Sequence, residues 1–233
     1  MIRTNLNLPF VSILFCCIWL YGCSPSIGDE SDSSLMAPRW LNPMTFDHVS
    51  TDGDTLQDVT FQISFAGFGG EEYIVNNCVD VFAIGDDVIA HQEFARWEWL
   101  KASCHGASWY FRSPDTAVSY WEREFDLDLL KTIPVTAVPY LGGQELDDRR
   151  GLLGANSSKL NLIKSGEHHV KVQIDNMVID YVVLARADFN RDGYQDMFIR
   201  LDWYGKDSFG EGFDWIVLTK TAPDVPPSML WRK

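Results

Sequence analysis

The chain is short of basic residues. Its 19 Lys and Arg stand against 33 Asp and Glu among 233 residues, a formal net charge of −14. Such a balance repels nucleic-acid backbones and anionic headgroups, and no basic stripe offers a phosphate footprint, so nucleic acid is excluded as a partner. Histidine is scarce too, five in all, with no HExxH pair. His168 and His169 are adjacent and would face opposite sides of a strand, and His91 and Glu93 share a helix at a spacing that turns them apart. There is no G-x-S-x-G elbow. "GFGG" at 67–70 lacks the Lys-Ser/Thr ending and the following helix of a phosphate loop. No catalytic constellation stands out, although carboxylates are plentiful enough to leave a glycosidase-like pair open. Long apolar runs are missing as well: "LPFVSILFCCIWLY" (8–21) falls short of the roughly 20 residues of a membrane-spanning helix.

What that run does fit is the apolar segment of a secretory signal, since Arg3 and the terminal amine precede it. It closes on Leu20-Tyr21-Gly22-Cys23, which resembles the lipobox of bacterial lipoproteins, where Leu precedes small residues and the Cys that becomes lipidated. The resemblance implies a signal peptide over 1–22 and a lipid on Cys23. Because Ser24 and not Asp follows, it also implies the outer membrane as destination. The competing reading is an ordinary signal peptide with an incidental cysteine. Residues 23–38, with "SPSIGDESDSSLMAP" after the cysteine, are too poor in large apolar groups to pack and read as a flexible polar tether. Residues 39–233 are then a single domain, held to the membrane through lipid without spanning it.

Five cysteines reduce to two on this reading. Cys16 and Cys17 leave with the signal and Cys23 is acylated. Cys78 and Cys104 remain in an oxidising compartment, which favours a disulfide between them. The rival is a nucleophilic Cys104 with His105 beside it, although adjacency does not place an imidazole on its neighbour's sulfur.

Along the folded part, "VTFQISFA" (59–66) alternates as a strand does. From Asp86 the pattern turns helical, with Ile89, Phe94, Trp97 and Leu100 near one face. Ser113 and Pro114 predict the start of a second helix through "SPDTAVSYWER", with Val118 and Trp121 on its buried stripe. "HVKVQI" and "MVIDYVVLA" flank Asp175-Asn176, a pair that tolerates the positive φ of a tight turn, and so predict a hairpin. "MFIRLDWY" and "DWIVLTKT" supply two more strands. Helices in one block and strands in others make the expected fold α+β: an antiparallel meander in the C-terminal half with a helical block packed on it. Most of the tryptophans are expected in the core, but Trp97 and Trp99 cannot share one helix face, which would leave one ring for a sugar or a partner.

The most specific stretch is "DFNRDGYQD" (188–196). Asp188, Asn190, Asp192 and Asp196 carry side-chain oxygens at relative positions one, three, five and nine, and Tyr194 at seven can offer its carbonyl. A hard Ca²⁺ takes six to eight oxygens, so alternate residues of a curled loop can surround it, and Gly193 permits the reversal. Ile199 stands where an EF-hand has its Glu, and the flanks read as strands rather than helices. The stretch instead resembles the calcium loops of FG-GAP and VCBS-type repeats of integrin α-chain propellers and bacterial surface proteins, D-x-[DN]-x-[DN]-G-x-x-D between two strands. The resemblance covers one loop and its strands, and a single motif does not imply a propeller. The bland alternative is an Asx-rich turn that binds nothing. "DHVSTDGDTLQD" (47–58) is a second acidic loop whose spacing fits calcium poorly.

These readings converge on an outer-membrane-anchored lipoprotein with one structural calcium site. It would act as a binding or interaction module toward an envelope protein or a glycan, with no catalytic residue assigned. The competing reading is a periplasmic hydrolase using a carboxylate pair in a cleft the sequence does not reveal.

Overall fold

The computed structural model describes residues 34–41, 55–122, 124–139, 150–156, 160–207 and 209–233. The expected signal peptide, Cys23, most of the tether and residues 47–54 of the second acidic loop lie outside them. Strands β1 (Ser34–Met36) and β2 (Arg39–Trp40) come first and find their partners far along the chain. Strands β3 (Thr60–Ala66) and β4 (Glu72–Asn77) form an antiparallel hairpin. Helix α1 (Cys78–Ala83) follows directly because the Asn77 side chain accepts from the amides of Val79 and Asp80, a good N-cap.

The helical pattern expected from Asp86 gives only two 3₁₀ turns, Asp86–Val88 and His91–Glu93, before helix α2 (Phe94–Phe111) begins. Asp86 does not cap the helix. Its carboxylate reaches onto the helix side, accepting from Trp97 Nε1 at 2.7 Å and Lys101 Nζ at 2.6 Å. The second expected helix is absent, and Ala117–Ser119 form strand β5 instead. Ser113 turns its hydroxyl back to Trp109 O at 2.9 Å, and the backbone after it is claimed by β1 on one side and by the 193–195 segment on the other. Tertiary pairing overrides local propensity there. The same pairing draws Ser34–Met36, inside the expected tether, into the fold mainly through its backbone, since Leu35 stays 70% exposed and only Met36 is partly buried.

Helix α3 (Leu127–Thr132), capped by Asp126, and the short α4 (Leu153–Asn156) lead into strands β6 (Leu160–Gly166), β7 (His169–Ile174), β8 (Met177–Ala187), β9 (Asp196–Gly205), β10 (Glu211–Thr219) and β11 (Ser228–Arg232). These six pair antiparallel in chain order, and β2 joins the far end of β8 through Arg39 and Trp40 opposite Arg186 and Ala185. The predicted β7–β8 hairpin turns at Asp175, whose φ of 51° an aspartate accepts readily. The chain is thus α+β with an antiparallel sheet in its C-terminal half, and the helical part is small.

One sheet face packs Val170, Ile179, Tyr181, Ile199, Leu201 and Ile216 against Phe125, α3 and α4. On the other face α2 sits close, with Ala102, Trp99 and Trp109 against Val182, Phe198, Trp215 and Val217. The outer side of α2 is covered in turn by the β3–β4 hairpin and α1, through Trp97, Leu100 and Cys104 against Phe65, Val75 and Val81. A helix covered on two sides needs no single apolar stripe. Trp97 therefore enters one core and Trp99 borders the other, and neither is an exposed platform. Among the described residues no helix is long and apolar enough to cross a membrane.

Candidate functional site

Ala187 ends β8 directly opposite Asp196, where β9 begins, so residues 188–195 make a closed excursion between two buried strands. Arg191 (φ 62°) and Gly193 (φ 90°) both adopt left-handed backbone. Glycine does so freely. Arg191 is held there from outside, its Nε and Nη2 donating to Arg112 O, just past the end of α2, at 3.1 and 2.6 Å.

The side chains singled out by spacing bond within the loop, Asp188 and Asp196 buried at its base and Asn190 and Asp192 exposed at its tip. Asp188 accepts from the amides of Asp192 and Gly193 at 3.1 and 2.9 Å. Asn190 accepts from Asp192 N at 3.1 Å and donates its Nδ2 to Asp192 Oδ2 at 2.8 Å. Asp192 Oδ1 accepts from Tyr194 N, and Asp196 Oδ2 from Phe189 N, each at 2.9 Å. From outside, Val118 N donates to Gly193 O, Gln195 N donates to Val118 O, and Trp121 Nε1 donates to Gln195 O. The Tyr120 ring lies 5.9 Å from that of Tyr194. The loop is thereby fastened to α2, β5 and both central strands.

Asp188 and Asp196 are 1% and 0% exposed. Burial pushes the Asp196 carboxyl up to about 7, and the nearby charges of Asp192 and Asp188 add to the rise, against the Thr219 hydroxyl and the Phe189 amide. Its Oδ1 is buried, and the Thr219 hydroxyl, directly across β9 and β10, is the neighbouring donor. A buried carboxylate facing a repulsion between like charges is what a hard cation would relieve. In this respect the residues fit calcium. Yet among the described residues no three His, Cys, Asp or Glu side chains converge as a ready cage, because Asp188 and Asp192 spend their oxygens on loop amides.

Cys78 and Cys104 are joined in a disulfide with Cα atoms 5.3 Å apart. That removes the thiol from the nucleophile reading. His105 beside it packs its ring against Phe82 and Trp109, and burial, then the Lys233 and Lys101 charges, lower its pKa. His168 and His169 do not part as strand neighbours would, because His168 precedes β7; both border one cavity.

A second polar site lies on the sheet face beside the first turns of α2, and spacing alone did not single it out. Lys171, Asp180, Asp202 and Phe213 stand in one row across β7, β8, β9 and β10. The row above holds His169, Val182, Arg200 and Trp215, and the row below Gln173, Val178, Tyr204 and Glu211. Arg200 clasps Asp202 through two bonds of 2.8 Å. Burial raises the pKa of Asp180, with His169 and Lys171 opposing and Asp202 adding. Asp180 Oδ1 is buried and has no hydrogen-bond partner among the described residues. Two signals for this site were available: a lone acid inside the apolar run "MVIDYVVLA", and "RLDWY", which puts Arg200, Asp202 and Tyr204 on one strand face.

Comparison with family models, with curated proteins and with solved structures finds no match to this chain.

Proposed function

We propose that this chain is an envelope lipoprotein, held in the outer membrane through lipid on Cys23, whose single domain (39–233, with β1 added from the tether) carries a structural calcium ion and serves as a binding or interaction module. The lipid anchor rests on the LYGC stretch and the apolar run before it. The observation that carries the calcium reading is the fully buried carboxyl of Asp196 at the base of the DFNRDGYQD loop, beside the like charges of Asp188 and Asp192. Asp188, Asn190, Asp192, the Tyr194 carbonyl and Asp196 would hold the ion, which would neutralise the charge of the loop's three carboxylates. The role is structural because the loop lies between strands and is fastened to α2 and β5.

Two measurements test the reading. Millimolar calcium over a site of extracellular affinity should add about 1 kcal/mol, a rise of about 2–4 °C in melting temperature. Asp192→Ala should abolish that rise and the calorimetric heat while leaving a cooperative transition; a wild type that shows neither heat nor shift makes the loop a plain turn. Cys23→Ser should move the protein out of the membrane fraction, and an unacylated, soluble wild type defeats the anchor.

One observation favours a second reading, a periplasmic hydrolase. Asp180, whose pKa burial raises, is the cross-strand partner of Asp202, which Arg200 clasps, and two carboxyls set side by side are what an acid–base hydrolase needs. Release of new reducing ends from polysaccharide by wild type, lost in Asp180→Asn, would establish it. A binder shows none.

A further inference from the structure

We propose that the face formed by Lys171, Asp180, Arg200, Asp202, Tyr204 and Phe213 is the ligand groove of this module and that its ligand is a neutral oligosaccharide. The inference rests on the binding-module reading and supplies its site and ligand class. Two adjoining cavities of about 710 and 460 Å³ share Asp180 and Asp202 as their common floor, and Ala95 and Trp99 of α2 form the wall. Ligand pockets commonly measure about 300–1,000 Å³, so the space suffices for more than a single small molecule. The floor row crosses four strands, about 14 Å at the usual strand spacing, the length of a short oligosaccharide.

The chemistry narrows the class. A divalent cation meets only two floor carboxylates here, flanked by Lys171 and by an Arg200 already clasping Asp202. A phosphate or other anion meets Asp180, Asp202 and Glu211 together. An acyl chain would have to cover charged groups and strand them without water. A chain of hydroxyl groups satisfies both signs at once: carboxylates accept from hydroxyls, while guanidinium and ammonium groups donate to them. Asp180 lines both cavities, at the centre of this floor. Aromatic surface flanks Asp202 on two sides, Phe213 across the strand pair and Tyr204 two residues along. The Tyr204 ring is 43% exposed, and Lys171 Nζ lies 5.6 Å from its centroid. An exposed ring beside paired polar groups offers an apolar platform for the C–H face of a sugar.

The position of the acid argues in the same direction. β8 is central and buried on both faces, and Asp180 interrupts its apolar pattern halfway along. Burying a carboxylate there disfavours the fold, and no hydrogen bond to Oδ1 within the described residues offsets it.

The test uses the full-length chain, in detergent, with cellotetraose, maltotetraose and chitotetraose as probes. Binding is read by titration calorimetry and by tryptophan fluorescence, since Trp99 and Trp203 border the cavities. At least one tetrasaccharide should bind, and Tyr204→Ala and Asp202→Asn should each weaken it about tenfold or more. Tyr204 is exposed enough that its removal should leave the melting temperature in place, and Leu230→Ala, exposed on β11, should leave binding unchanged. The inference is overturned if none of the three probes binds, if Tyr204→Ala and Asp202→Asn bind like wild type, or if a dipeptide displaces the sugar. Its failure is separable from that of the module itself: a chain that fractionates with membranes and responds to calcium but ignores all three sugars loses only this inference.

Discussion

Asp86 ties the segment before α2 to two side chains of that helix, Trp97 and Lys101. Hydrogen bonds from Lys101, first, and from Trp97 hold its carboxyl below the ordinary value of 3.8, with the Lys101 and Lys233 charges assisting. A depressed carboxyl contributes stability that is present above the unfolded value and lost as pH falls through the folded one. The side chain is 42% exposed, so solvent screening limits the pair to about 1 kcal/mol. Asp86→Asn should therefore lower the melting temperature by about 2–4 °C at neutral pH. The gap between variant and wild type should close as pH falls below 3.8. A gap that persists unchanged in acid would show that shape, not charge, is what Asp86 contributes.

At the scale of elements, α2 comes close to the sheet at Gly106. A Cβ placed there would lie 2.1 Å from the Phe198 ring. Alanine in a helix interior ordinarily gains about 1 kcal/mol over glycine, but overpacking a tight core costs about 1–3 kcal/mol. The second effect should win: Gly106→Ala is expected to lower the melting temperature, and adding Phe198→Leu to recover part of the loss. The same contacts explain which elements were legible in the sequence. β3 and β7 through β10 were readable because alternation, or an apolar run bounded by turn residues, survives in one dimension. Asp175 marked the hairpin for the same reason. The helix expected around Val118 was not there, because its backbone is claimed by Leu35 and Gly193, partners more than seventy residues away. The start of α2 was blurred because both sides of the helix are covered and its apolar residues keep no single stripe. In the loop, the side chains picked by spacing do bond to loop amides, but nothing local could tell that Arg191 would reach Arg112. The charged face was hidden because its rows are assembled from four strands.

For the whole molecule, the disulfide is the one covalent tie between α1 and α2, and it closes a separation of 26 residues. In the chain-entropy model that contributes about 3.5 kcal/mol. Cys78→Ala or Cys104→Ala should lower the melting temperature by about 10 °C. Reductant should lower that of wild type and leave the variants unmoved; equal behaviour of all three would deny the bond its role. β1 has a mechanical consequence. Its three residues pair with β5, and the middle residue of β5, Val118, is bonded on its other side to Gly193 and Gln195. Tension applied ahead of Ser34 is thus borne first by this three-residue zipper, whose far side is braced by the acidic loop through Val118, and next by β2, where Arg39 and Trp40 pair with β8. That end of the chain should peel away in two steps, the zipper before the central sheet.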